Sequence, residues 1–155
     1  MKNGESGSRR PTGEKRSLTI DLRDKSLEGD SAQVLIVEDD VDTLEFFKML
    51  FSSAGHSVWG ACTSGETAIS LCESADVLPD VVLMDYRLPG IDGIQVAERL
   101  LAMDSSIEIV FCSADDSARK FAEALGVRRF KKKPVENANL LRNVDQAYKD
   151  KLRGS

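Results

Sequence analysis

Four acidic residues stand directly after two apolar runs: Glu38-Asp39-Asp40 after Val34-Leu35-Ile36-Val37, and Asp85 after Val81-Val82-Leu83-Met84. Crowded carboxylates repel one another and desolvate poorly, so a group of them calls for a hard cation. Mg²⁺ held by two or three of them, with water and a phosphoryl oxygen completing its shell, is the simplest chemistry they could share. Two more segments end in groups that such a site would use. Ile107-Glu108-Ile109-Val110-Phe111-Cys112 leads into Ser113-Ala114, and Phe130-Lys131-Lys132-Lys133 ends in an ammonium before Pro134. An EF-hand is excluded, because no Asp/Asn ladder with Gly at its sixth position is present.

These groups meet only if the right elements carry them. Continuous Val/Ile-rich runs suit strands buried on both faces, as in a parallel sheet. Ligands of such sheets bind in the crevice beyond the carboxyl ends of the strands, where both acidic groups point. From residue 33 the pattern alternates β and α five times. Helix 1 is expected over Asp42 to Ala54, stopped by Gly55, with Asp40 a loop acid that caps it. Strand 2 follows over 57–61, and Thr63-Ser64-Gly65-Glu66 reads as a capping box for helix 2. Strand 3 covers 81–84, helix 3 starts at Asp92-Gly93, and strand 4 covers 107–112. Helix 4 runs from Ser117 to Leu125, strand 5 covers 128–132, and helix 5 spans Asn137 to Lys151. Short loops and right-handed crossovers make this an α/β doubly wound parallel sheet.

The four motifs taken in order, Glu38-Asp39, Asp85 with Leu88-Pro89-Gly90-Ile91-Asp92-Gly93, Ser113-Ala114 and Lys133-Pro134, resemble the receiver domain of two-component response regulators. The resemblance covers residues 33–152. It implies a flavodoxin-like (βα)5 fold with strand order 2-1-3-4-5, an order that is general knowledge of such folds. It implies Asp85 as phosphoacceptor, and Mg²⁺ (or Mn²⁺) bound by Asp39, by Asp85, by the backbone carbonyl of Arg87 and, through water, by Glu38. Lys133 would contact the phosphoryl oxygens and Ser113 would donate to them. Ala114 would leave access open, and Phe130 would be the switch aromatic. The Lys133–Pro134 bond would be cis. Arg87 and Asp115 would face each other across the pocket mouth and tune the phosphoryl lifetime.

The implied partners are a sensor histidine kinase and a downstream protein target or histidine phosphotransfer protein, met on a surface near helix 4, strand 5 and helix 5. The protein would be a monomer or weak dimer. A phosphorelay intermediate and a non-phosphorylated pseudo-receiver remain alternatives to a stand-alone switch. A metal-dependent hydrolase would need a cap insertion and a second acid near Asp85, and the sequence offers neither.

Two departures from the family pattern stand out. Only nineteen residues separate Ser113 from Lys133, so helix 4 is short and dimerisation through it is disfavoured. Lys131 and Lys132 occupy strand 5, which must therefore be an open edge or let its lysines snorkel.

Composition narrows the class further. A chain of 155 residues with 41% hydrophobic and 30% charged residues fits one globular domain. No apolar run approaches the ~20 residues needed to cross a bilayer, and no signal-peptide pattern opens the chain. Three scattered cysteines, Cys62, Cys72 and Cys112, suit a reducing cytoplasm, with Cys112 a small core residue. Residues 31–118 hold 3 basic and 16 acidic residues, a net of −13; residues 119–155 hold 11 basic and 4 acidic, a net of +7. The basic cluster has no aromatic platform or recognition helix beside it, so a partner-facing edge is expected rather than direct nucleic-acid binding. Residues 1–30 are polar and mixed in charge and are expected to be a disordered extension before a domain at 31–155. Ser17–Leu22 alternates like a half-buried strand. After helix 5 only Arg153-Gly154-Ser155 follow in the sequence, so a stand-alone receiver without an output domain is expected.

Overall fold

The computed structural model describes residues 31–154. The expectations for residues 1–30, including a strand at Ser17–Leu22, lie outside the described residues. Five strands and five helices alternate: β1 (Gln33–Val37), α1 (Val41–Ser53), β2 (Ser57–Cys62), α2 (Gly65–Glu73), β3 (Val81–Met84), α3 (Gly93–Met103), β4 (Glu108–Ser113), α4 (Arg119–Ala124), β5 (Arg129–Lys132) and α5 (Asn137–Gly154). All strand pairs are parallel, in the order β2-β1-β3-β4-β5. This is the flavodoxin-like arrangement expected from the sequence.

The period-2 alternation of each strand divides its residues between two cores. Leu35, Val37, Val82, Met84, Ile109, Phe111 and Phe130 pack on the face covered by α2, α3 and α4. Val34, Ile36, Val81, Leu83, Val110 and Cys112 pack against α1 and α5. The central strands β1 and β3 are buried on both faces, which is why their sequences are unbroken apolar runs. β5 is an edge strand, so Lys131 stays half-exposed and Lys132 exposed while Phe130 is buried.

Several boundaries differ from the sequence reading. α4 starts at Arg119, not Ser117, because the Ser117 N–H donates to Asp115 Oδ1 (2.9 Å) in a turn. Its N-cap, Ala118, offers no side-chain cap. Thr63 and Glu66 form no capping box. Ser64 is the N-cap of α2 and accepts from the Thr67 N–H. The full capping box is at α3, between Asp92 and Gln95. Asp40 caps α1 by accepting from the Thr43 N–H (2.9 Å). α5 continues to Gly154, and Lys151 and Arg153 complement the helix dipole in its last turn.

Candidate functional site

Each strand end delivers one polar group to the same edge of the sheet. The Glu38 N–H donates to Cys62 O (3.0 Å), and the Asp85 N–H donates to Val37 O (3.1 Å), extending the ladders by one residue. The Lys133 N–H donates to Ser113 O (2.9 Å) in the same way. The site is thereby an outgrowth of sheet register rather than of loop conformation. Behind Asp85 the backbone must run close to α3. A Cβ on Gly93 would lie 2.6 Å from Asp85 O and 2.9 Å from the Phe111 ring. Only glycine admits that approach.

The carboxylates of Glu38, Asp39 and Asp85 offer oxygens within 4.8 Å of one another. Glu38 is 3% and Asp85 8% exposed, while Asp39 faces solvent. Lys133 Nζ donates to Glu38 Oε1 (2.8 Å) and Asp85 Oδ2 (3.1 Å). The other Asp85 oxygen, Oδ1, accepts from the Arg87 N–H (3.0 Å), and Glu38 Oε2 accepts from the Asp40 N–H (3.1 Å). Burial pushes the Glu38 carboxyl above its ordinary value despite the bond from Lys133. Burial also opposes the Lys133 ammonium, but the bond to Glu38 and the charge of Asp85 outweigh it and raise its pKa. Three carboxylates against one ammonium leave a residual charge of about −2, which a single divalent cation would match. All-oxygen donors suit Mg²⁺ or Mn²⁺.

Ser113 is buried, and its Oγ accepts from the Asp115 N–H (3.3 Å). Ala114 is exposed beside it. The Lys133–Pro134 peptide bond is cis. Arg87 Nε and Nη2 both reach Asp115 Oδ2 at 2.6 Å, bridging the β3–α3 and β4–α4 loops. The Ser117 backbone N–H and side chain, then Arg87, hold the Asp115 carboxyl down at about 2. Cys112 is buried below the site, and burial lifts its thiol to about 11, so it is inert packing.

Phe130 lies inward, 6% exposed, with its ring centroid 5.4 Å from that of Phe111. Arg119 covers it from α4: its guanidinium stands 5.0 Å over the ring while Nη1 donates to Phe130 O (2.9 Å). Nothing in the sequence flags Arg119, because the contact crosses from helix to edge strand. Glu66 was also missed. Its carboxylate accepts from the Ile91 N–H (3.3 Å) and fills the space beside Gly90, whose φ of 76° suits glycine. Glu66 thus ties α2 to the loop that follows Asp85.

The family model for the response regulator receiver domain matches residues 34–145. The chain belongs to that family. Phosphoryl acceptance is general to receiver domains, as is Mg²⁺ binding through an acidic pocket. Chemotaxis protein CheY of Thermotoga maritima is 28% identical over 119 residues, spanning 76% of this chain and 98% of that protein. The positive alginate biosynthesis regulatory protein of Pseudomonas aeruginosa is 32% identical over 124 residues, 74% of this chain. This chain spans only 46% of that regulator's length. Among solved structures, a CheY-like receiver domain from Methanospirillum hungatei shares the fold, with a TM-score of 0.74 at 18% identity, covering 81% of this chain and 99% of that one. The CheX–CheY–BeF3–Mg complex from Borrelia burgdorferi superposes with a TM-score of 0.69 at 26% identity, covering 75% and 88%. Among the described residues, no helix is long and apolar enough to cross a membrane.

Proposed function

We propose that this receiver is a cytoplasmic switch that accepts a phosphoryl group on Asp85 from a phosphohistidine of a sensor kinase. The observation that carries the reading is the convergence of Glu38, Asp39, Asp85 and Lys133 on one partly buried point at the carboxyl edge of the sheet. An Asp85 carboxylate oxygen attacks phosphorus, the P–N bond to the imidazole breaks, and the departing nitrogen keeps the electron pair. Asp39 and Asp85, with the Arg87 carbonyl and water-linked Glu38, would hold Mg²⁺ (or Mn²⁺), which neutralises phosphoryl charge. Lys133 exchanges its present carboxylate partners for a phosphoryl oxygen. The Ser113 hydroxyl donates to another phosphoryl oxygen, drawing the 113–118 loop inward. Phe130, already inward beneath Arg119, reports that movement on the β5 side. The product is released by in-line attack of water, past the Arg87–Asp115 bridge.

The donor must reach Asp85 from outside. Beside the site, a cavity of about 470 Å³ runs between α1 and the Lys133–Val135 turn, with Thr43, Phe47 and Leu140 in its walls. Phe46 of α1 lines it and is exposed, as are the apolar Val41 and Met49 on the same helix. This supports docking of the phosphodonor along α1, leaving the β5–α5 side for a downstream protein target.

Phosphoramidate, a P–N donor akin to phosphohistidine, tests the reading directly. With Mg²⁺ it should label the protein, and EDTA should stop the labelling. Asp39→Ala should prevent metal-dependent labelling while the fold remains intact. Full labelling of that variant would contradict the site. Passage of the label to a histidine phosphotransfer protein would mark a relay intermediate rather than an endpoint.

A further inference from the structure

The basic C-terminal third of the chain is not uniformly neutralised. Arg128 pairs with Glu108 and Asp150 (both 3.4 Å), Arg129 and Arg153 pair with Asp150, Lys151 with Asp80 (3.5 Å), and Lys132 with Asp116 (3.8 Å). Lys131, Arg142 and Lys149 have no carboxylate within 4.0 Å among the described residues. They share one place. Strand alternation turns Lys131 toward α5, while Arg142 and Lys149 lie two helical turns apart on α5. Two cavities follow this seam. One, of about 260 Å³, is walled by Lys131, Asn139 and a single acid, Glu136. The other, of about 530 Å³, is walled by Arg142, Asn143, Gln146 and Lys149.

We propose that this β5–α5 groove docks an extended acidic segment of the output partner. The inference rests on the receiver reading and gives its output face a chemical specificity. Seven helical residues place Arg142 and Lys149 about 10.5 Å apart along the axis. A segment extended as polyproline II has three residues per turn and rises about 3.1 Å per residue, so carboxylates three positions apart share one face at close to that spacing. Between them the Asn143 amide nitrogen is held by Asn139, while Gln146, which donates one N–H to Asp150 (3.3 Å), has a second to offer. Side chains rather than sheet extension make the contact, because Arg119 already occupies the outward carbonyl of Phe130 on the strand edge. A nucleic-acid strand fits less well. Residues 31–118 carry a net of −13 and repel a phosphate backbone continuing beyond the groove. The groove begins at Lys131-Lys132, immediately before Lys133 of the acidic site, so a change at Lys133 is felt at its upper end.

The test uses the full chain and fluorescence anisotropy at low salt. The probes are a labelled twelve-residue peptide with Glu at every third position, an isomer with the same Glu residues contiguous, and a dT12 oligonucleotide. The spaced peptide should bind most tightly. The Lys131→Glu/Arg142→Glu/Lys149→Glu variant should lose about tenfold or more in affinity, while the equally charge-changed Lys48→Glu/Arg99→Glu/Lys120→Glu variant keeps most of it. Equal binding of both peptides, comparable losses in both variants, or dT12 binding as tightly as the spaced peptide would overturn the proposal. Should the triple variant fail to fold by circular dichroism, Arg142→Ala with Lys149→Ala decides, with the same direction expected. Phosphoramidate labelling is followed in parallel. Retained labelling with lost peptide binding isolates the groove. Absent labelling in the unmodified protein would strike the receiver reading instead.

Discussion

The two ends of the sheet carry charge clusters of opposite design. At the carboxyl end, Glu38, Asp39 and Asp85 face one cation, Lys133. At the amino end, Glu108 and Asp150 face Arg128, Arg129 and Arg153, and Lys151 meets Asp80. The second cluster is nearly closed: three carboxylates face four cations, each cation is paired, and the cluster staples α5 to β4 and β5. The first is open, because its excess negative charge has no counterpart among the described residues. Similar residue types thus make a clamp in one place and a reaction site in the other. What separates them is charge balance, together with which end of a parallel sheet they occupy.

Exchanging function for stability is the sharpest way to break this comparison. Asp85→Asn should abolish labelling and leave melting unchanged or slightly higher, since it relieves crowded carboxylates. Asp150→Asn should do the reverse: labelling stays, while unfolding in denaturant shows a loss of about 2 kcal/mol, because Arg129 keeps only the longer pairing to Glu108 (3.6 Å). Loss of labelling in Asp150→Asn, with the fold intact, would mean that the two ends are not independent.

Acid should distinguish the clamp as well. The bond from Arg129 chiefly holds the Asp150 carboxyl down at about 2. A depressed carboxylate contributes stability above its unfolded value of about 4 and loses it as pH falls through the folded value. The unmodified protein should therefore lose stability between about pH 4 and pH 2, and Asp150→Asn should flatten that limb. An unchanged limb in chemical denaturation at stepped pH would remove Asp150 from the account.

Both clusters also have to belong to one folding unit. Every strand of the sheet lies within Gln33–Lys132 and the last helix ends at Gly154, so deletion of residues 1–30 should leave cooperative unfolding and labelling intact. Loss of the transition would make the leading segment part of the core.

The smallest expected effect is at the rim of the open cluster. The Arg87–Asp115 bridge is exposed on the arginine side, so its removal should barely change melting. Arg87→Ala or Asp115→Ala should shift the dephosphorylation rate several-fold, a barrier change of about 1 kcal/mol. The double variant should be non-additive. Rates that multiply independently would leave the bridge without a kinetic role.

Much of this was legible in the sequence because it rides on strand periodicity. Val34–Val37 and Val81–Met84 could be buried only in central parallel strands, so the positions of Glu38 and Asp85 at one edge followed directly. Lys131 and Lys132 likewise required β5 to be an edge or to let its lysines snorkel, and the edge position is what the sheet order shows. What was hidden depends on contacts between elements. Glu66 resembles a capping residue in sequence, yet tertiary proximity gives its carboxylate to Ile91. The Asp115–Ser117 turn competes successfully for an N–H that a helix from Ser117 would have used. Arg119 has no local pattern, and only the short α4 brings it over Phe130. The neutralised and unmatched cations of the C-terminal third are indistinguishable as a basic run. They separate only when α5 lies along β5.

The central claim is that the open cluster exists to load one particular carboxylate. The direct measurement is to phosphorylate the protein with phosphoramidate and Mg²⁺, reduce the acyl phosphate with borohydride, and locate the resulting homoserine by peptide mass spectrometry. The account predicts a single modified position, Asp85, lost in Asp85→Asn and unaffected in Asp150→Asn. Modification at another acid, or undiminished labelling of Asp85→Asn, would contradict it.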